Sequence, residues 1–327
     1  MKYDIVTIGG ALEDITFCIR EGQVIDNRND ILRQRLLAFE YGAKIRVKDK
    51  DASFTFGGGA SNVAVAASRL GLKTACIIAI GEGTRAKRIL NNLKKQKVDT
   101  SLCQMTKEGK SGFSFSLMLY PEYEHTIFSY RGVNNELYLT QKFLNEIDSE
   151  NLYICSLDGR WKDLLKNIFS QSSRHKIFWN PGSTQLAEPS SIRRYLPKTY
   201  AIILNEDEAT ELVVSDKKIM NDRRDTASFL NNTKNLLRII KDYGPRIVVI
   251  TRGKKGADAY DGENFYHVNI KRSKRIDTTG IGDAFGASFA CGLKIYKGDI
   301  KKAMDLGIRN TASVVSHTGA QNGLIKL

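Results

Sequence analysis

A chain of 327 residues with 42% hydrophobic residues and only 5 prolines carries enough apolar material to bury a core, which excludes a disordered or fibrous polypeptide. No run of about 18 apolar residues occurs and the opening run 3–8 holds Asp4, so neither a membrane span nor a secretory signal is expected. The net charge of +14 brings an acidic partner into view, but the basic runs are short and scattered: solvated faces come first, attraction of a polyanionic nucleotide second and specific nucleic-acid binding last.

The first β-branched run, 3–8, ends in Gly9-Gly10. Residues 13–56 are polar, strand-like over 15–25, with a helical pattern at 29–39 and another extended run at 43–47. Helical periods at 60–70 and 84–96 flank a strand-like run at 74–80. Over 111–131, Phe113, Phe115, Leu117 and Leu119 alternate with small or polar residues, a period of two that predicts half-exposed antiparallel strands. Beyond this, strand runs at 152–157, 176–179, 200–204 and 246–250 alternate with helical segments at 139–147, 160–171, 206–213 and 227–242, and helices at 284–296 and 300–317 follow. Alternation of this kind predicts an α/β fold, a doubly wound and mostly parallel sheet flanked by helices, with ligands beyond the carboxyl ends of its strands. The two stretches that break the alternation, about 13–56 and 111–131, form a small β-sheet that serves as a lid or as a dimerisation sheet. No repeat or low-complexity linker divides the chain, so 1–327 reads as a single domain, with 216–225 polar enough for a mobile loop. The five cysteines stand singly without a Cys-x-x-Cys spacing, which fits reduced thiols in the cytoplasm.

The segment DTTGIGDAFGASFACGL, 277–293, places Asp283 at the mouth of a helix of small apolar residues. Free N–H groups and the positive end of the helix dipole make an anion site there, and Gly280 and Gly282 leave the backbone open to a phosphoryl group. Asp283 can then take a proton from an attacking hydroxyl; its alternative use is as an N-cap. Gly57-Gly58-Gly59 ends a strand before a helix in which Asn62, donor and acceptor at once, suits neighbouring hydroxyls or caps the turn. Asp14 stands near the end of the first strand, as a polyol ligand or a turn residue. Asn205 and Glu208, three apart at a helix start, either organise a hydrated Mg²⁺ or cap the helix. Thr251, Gly253 and Gly256, in TRGKKG, can meet a nucleotide or turn a hairpin; no Walker A loop occurs in the chain.

In this order, GGGASN at 57–62, Asn205-x-x-Glu208, Thr251-x-Gly253, DTTGIGD at 277–283 and the tail from Asn310 to Gln321 resemble the motifs of the PfkB (ribokinase-like) carbohydrate and nucleoside kinase family, over nearly the whole chain. The resemblance implies transfer of the ATP γ-phosphoryl group to a hydroxymethyl of a small sugar, with a nucleoside acceptor as the alternative. It makes Asp283 the general base and the backbone of Gly280, Ile281 and Gly282 the anion hole. It puts Asp14, Gly58 and Asn62 on the acceptor, Arg131 on the lid, and Asn205, Thr251, Gly253, Gly256 and Asn310 near the nucleotide. It gives Glu208 to Mg²⁺ through water and Asp277 to a monovalent cation such as K⁺. Ile281 departs from the small residue common in that turn, and the segment 26–50 is longer than the simplest lids of the family. Expected partners are therefore a small-molecule sugar or nucleoside and a second copy through the lid, with no membrane and no specific nucleic acid.

Overall fold

The computed structural model describes residues 2–27, 35–120, 124–221 and 226–327. β1 (Tyr3–Ile8) leads to β2 (Leu12–Ile19), a hairpin of β3 (Gln23–Asp26) and β4 (Arg35–Ala38), and β5 (Ala52–Gly57). α1 (Gly59–Arg69) connects to β6 (Thr74–Ile77) and β7 (Ala79–Glu82), and α2 (Thr84–Lys95) to the long β8 (Gln104–Leu119) and to β9 (Glu124–Gly132). Strand and helix then alternate through α3 (Gln141–Asn145), β10 (Ser149–Ile154), α4 (Trp161–Phe169), β11 (Lys176–Trp179), α5 (Ser183–Leu186), α6 (Pro189–Arg193) and β12 (Ala201–Asn205). α7 (Glu206–Val214), α8 (Lys217–Met220), α9 (Thr226–Asn231) and α10 (Thr233–Asp242) precede β13 (Ile247–Thr251), and a hairpin of β14 (Ala257–Tyr260) and β15 (Phe265–Val268) precedes α11 (Ile281–Ile295) and α12 (Ile300–Val314).

The main sheet runs β15-β14-β13-β12-β11-β10-β1-β6, parallel from β13 to β6 and antiparallel at the β14 and β15 edge. Its parallel strands read as continuous Val/Ile/Leu runs because both faces are covered. Residues from α1, α11 and α12 bury one face, and residues from α4, α7 and α10 the other. α11 lies deepest: its alanines and glycines admit close neighbours, and a Cβ on Gly286 would reach within 2.0 Å of the Tyr153 hydroxyl, one on Gly292 within 2.7 Å of Ala303 Cα. β1 pairs with both β6 and β10, so successive connections leave it in opposite directions along the sheet. A crevice opens at such a switch point, beyond the carboxyl ends of the two strands.

The second sheet, β5-β2-β8-β7 with β9 on the far side of β8, is mixed rather than antiparallel. β2 and β8 run parallel because α1 and α2 intervene, and only a crossover of that kind returns a strand in the same direction. The register aligns Asp14 with Ser114 and Thr55, and Thr16 with Ser116 and Ser53, on one face. Ile15, Phe17, Phe54, Phe113, Phe115, Phe128 and Tyr130 occupy the other, with ring contacts between Phe17 and Phe115, Phe113 and Tyr130, and Phe115 and Phe128.

Several local expectations change. The helix read over 29–39 lies partly outside the described residues, and Arg35–Ala38 is a strand held by pairing with β3. Residues 43–47 form no strand; the pairing partner of β2 is β5 instead. The helix read over 227–242 breaks at Asn232, whose side chain caps α10 by accepting from the Lys234 N–H. Of the loop read over 216–225, Lys217–Met220 is a helical turn capped by Asp216, and 222–225 lie outside the described residues. The β14 and β15 hairpin escaped the sequence reading because both strands are short and carry polar residues such as Asp258 and His267. Among the described residues no helix is long and apolar enough to cross a membrane.

Candidate active site

The α11 mouth is built by constraint. Gly280 is its N-cap at φ +73°, a left-handed conformation that disfavours side chains, and a Cβ there would lie 2.3 Å from that of Ala320. Asp277, buried at 4% exposure, locks the turn: its Oδ1 accepts from the Thr279 N–H and its Oδ2 from the Gly319 N–H, each at 2.8 Å. Ile281 turns its side chain into the core. Gly282 is exposed, and no atom lies within 4 Å of where its Cβ would be, so the backbone of the first turn faces open space. Asp283 stands inside the first turn and is not the cap, which removes the capping alternative. Its Oδ2 accepts from Asn62 Nδ2 at 2.8 Å. Desolvation raises its pKa above the ordinary carboxylate value, the Asn62 hydrogen bond opposes that, and the charge of Asp14 adds to it.

The glycine run brings α1 against this turn. Gly58 has φ +89°, and its Cβ would sit 2.6 Å from Gly10 O and from Ala11 Cα, so two backbone segments touch there. At Gly59 a Cβ would lie 2.9 Å from Cys155 Cβ and 3.5 Å from Asp283 Oδ1. Asn62 is buried, with Oδ1 accepting from Gln321 Nε2 at 3.0 Å and Nδ2 on Asp283, so one N–H remains for another partner.

The polar face of the second sheet looks onto the same turns. Thr55 lies against Gly319, and Asp14 Oδ1 accepts from Ser114 Oγ at 2.5 Å. Burial raises the Asp14 carboxyl, Ser114 opposes the shift, and the Asp277 charge adds to it. On the opposite face Glu13 is held by Arg85 at 3.2 Å and Arg88 at 2.6 Å. Arg131 of β9 pairs with Asp158, in the segment after β10, at 3.3 Å. A cavity of about 30 Å³ lies beneath, lined by Gly9, Gly10, Gly59, Arg131, Ser156 and Asp158 among others.

A second group gathers at the ends of β12 and β13, where Asn205 and Thr251 are register partners. Asn205 and Glu208 form a reciprocal capping box, Asn205 Oδ1 accepting from the Glu208 N–H and Glu208 Oε2 from the Asn205 N–H, both at 2.8 Å. Burial nevertheless raises the Glu208 carboxyl. Tyr153, buried between the two groups, feels the charges of both Asp283 and Glu208. Gly253 is open to solvent and Thr251 half-buried. Gly256 and Asn310 are not brought to the opening. A Cβ at Gly256 would lie 2.0 Å from Val268 O, which makes it a turn glycine, and fully buried Asn310 donates to Ser288 Oγ at 2.7 Å and accepts from the Ile325 N–H at 3.0 Å. Among the described residues, no cluster of three or more His, Cys, Asp or Glu forms a metal cage.

Sequence reasoning gave no role to Ser114, Asp158 or Gln321. Ser114 belongs to a period-two pattern, but only the register with β2 puts it on Asp14; Gln321 reaches Asn62 across 259 positions.

The family description "pfkB family carbohydrate kinase" matches residues 30–327. The chain is 28% identical over 277 residues to a ribokinase of Staphylococcus aureus, covering 83% of this chain and 86% of that protein. It is 26% identical over 329 residues to a 5-dehydro-2-deoxygluconokinase of Bacillus licheniformis, covering 96% and 90%. Two solved structures share the fold: a ribokinase of Cryptococcus neoformans in complex with ADP (TM-score 0.75, 18% identity, 99% and 97% covered) and a nucleoside kinase of Burkholderia thailandensis in complex with inosine (TM-score 0.74, 16% identity, 98% and 94% covered).

Proposed function

The chain belongs to the pfkB family of carbohydrate kinases, phosphotransferases that act on a hydroxyl acceptor, and from that premise we propose that it transfers the γ-phosphoryl group of ATP to a hydroxymethyl of a small sugar. One observation carries the choice of acceptor. The face of the second sheet turned to the α11 mouth is hydroxyl- and carboxylate-bearing, with Asp14, Thr55 and Ser114, whereas its aromatic side chains lie on the other face. A polyol finds hydrogen-bond partners on that face; among the described residues a nucleobase finds no ring to stack on there. A nucleoside acceptor remains the alternative within the family.

In this reading the second sheet is the lid, and Asp14 and Arg131 meet the acceptor, with Ser114 orienting Asp14. Asp283 takes the proton of the acceptor hydroxyl as its oxygen bonds to the γ-phosphorus, and the bond from that phosphorus to the ADP oxygen breaks. Backbone N–H groups of Gly280, Ile281 and Gly282 meet the charge on the transferring group. The raised pKa of Asp283 suits a base that must also release its proton. The ends of β12 and β13 take the nucleotide. Glu208 keeps one oxygen clear of the capping box, which fits a contact to the water shell of Mg²⁺ brought in with the phosphates, where the ion supplies charge neutralisation. Buried Asp277, whose oxygens accept from the Thr279 and Gly319 N–H groups, is the carboxylate that would hold a K⁺ ion beside this turn. Five free thiols support a cytoplasmic location, and the exposed rings of Phe54, Phe128 and Tyr130 support a homodimer through the lid.

The test is an ADP-release screen of sugars against nucleosides, repeated on Asp283→Asn. The variant is expected to lose about two to four orders of magnitude in turnover while binding ATP normally. Near-normal turnover would refute the base, and a preference for nucleosides would refute the acceptor.

A further inference from the structure

Asn62 presents its N–H to Asp283, although turning the amide by half a rotation would present its oxygen instead, opposing two acceptors. The side chain that makes the choice is Gln321, in the tail after α12. Its Nε2 donates to Asn62 Oδ1 and to Ser61 Oγ, each at 3.0 Å. Its own orientation is set by Asn92 of α2, whose Nδ2 donates to Gln321 Oε1 at 2.8 Å, and Arg69 holds its backbone carbonyl at 2.7 Å. Gln321 and Asn62 are each 5% exposed, so water does not readily replace these partners. The polarity therefore runs in one sense from Asn92 through Gln321 and Asn62 to Asp283, across four segments of the chain.

We propose that Gln321 is a positioning residue for Asp283: by donating to Asn62 Oδ1 it fixes the Asn62 amide so that its N–H, and not its oxygen, meets the Asp283 carboxylate. The proposal rests on the reading of Asp283 as the base. The other groups facing Asp283 are Asp14 from β2 and, from β10 and the residue after it, the Tyr153 phenol and Cys155 thiol, with Glu208 of α7 beyond Tyr153. Burial and the Asp14 charge disfavour the charged carboxylate, and the Asn62 N–H is the side-chain hydrogen bond among the described residues that favours it. Gln321 reaches the site only through Asn62, so the acid limb of the pH profile, rather than the acceptor KM, reads its action on Asp283.

The test is a double-mutant cycle on the full chain. Gln321→Met keeps the length and removes the donor. We expect kcat to fall about tenfold and the acid limb of its pH profile to move up by about one unit. In an Asn62→Ala background, adding Gln321→Met is expected to change neither kcat nor the limb. A loss of the same size in both backgrounds, or a fall in kcat with an unmoved limb, overturns the proposal, because either result means that Gln321 does not act through Asn62. Should Gln321→Met fail to fold, Gln321→Glu keeps the acceptor for Asn92 but cannot donate to Asn62; its upward shift must vanish without Asn62, and a shift that persists overturns the proposal. Asp283→Asn measured alongside separates the two levels: an active Asp283→Asn enzyme removes the base itself, whereas an inactive one beside a wild-type Gln321→Met enzyme removes only the positioning role.

Discussion

Gly282→Ala separates stability from chemistry at the α11 mouth. A Cβ on Gly282 meets no atom within 4 Å, and the residue has ordinary helical geometry in the first turn of α11, so the methyl group adds neither a clash nor backbone strain. Replacing glycine by alanine inside a helix gains up to about 1 kcal/mol, less at its first turn, which for a chain of this size is a rise in Tm of about 1–2 °C at most. In the anion-hole reading, the same methyl group would stand in the space that the phosphoryl group enters to reach the backbone N–H groups. Losing one donor of an anion hole costs about 2.7–4 kcal/mol, or two to three orders of magnitude in kcat. Gly282→Ala is thus expected to melt no lower than wild type and to turn over about a hundredfold more slowly. Gly280→Ala, at φ +73° and 2.3 Å from Ala320 Cβ, should instead lose stability and activity together. Differential scanning fluorimetry and the ADP-release assay give both quantities. A Gly282→Ala enzyme with wild-type kcat and kcat/KM would show that no phosphoryl group approaches this turn, and the anion-hole reading would fall.

A Cβ on Gly57 would lie 2.0 Å from Asp14 Oδ2, so Gly57→Ala must displace that carboxylate from Ser114; the acceptor KM should rise about tenfold or more with the ATP KM unchanged, and an unchanged acceptor KM would remove Asp14 from the acceptor site. Both Asp14 and Asp283 have folded-state pKa values raised above 3.8, chiefly by desolvation. Protonation therefore favours the folded state: their contribution to stability is full below about 3.8 and is lost as pH rises through the raised values. Asp14→Asn and Asp283→Asn should accordingly raise Tm at pH 7, with the advantage shrinking on acidification through those raised values. Variants less stable than wild type at pH 7 would show that neither carboxylate is strained by burial.

The main sheet was legible because its signal is local. A strand buried on both faces must be a continuous apolar run, and a helix packed as closely as α11 must be made of small residues, so periodicity and composition place most of these elements. The second sheet was legible only as alternation. Nothing local says that β2 and β8 are parallel neighbours, since their pairing follows from the path of the chain through α1 and α2. The short β14 and β15 strands and the break at Asn232 were missed for a related reason: a cap or an edge pairing outweighs the weak preference of a few residues.

The same division runs through the candidate site. Asp283 and its flanking glycines follow each other in sequence, and a carboxylate at a helix mouth needs only those neighbours, so the sequence by itself singled out the carboxylate and the turn to be tested. Tertiary structure decided what meets them. Folding joins Asp14 to Ser114 across 100 positions and Asn62 to Gln321 across 259, and it commits Asn310 and Gly256 to internal contacts. Such pairings depend on strand register and on which turns touch, and these are set by burial of the whole core rather than by the residues that finally hold hands across it.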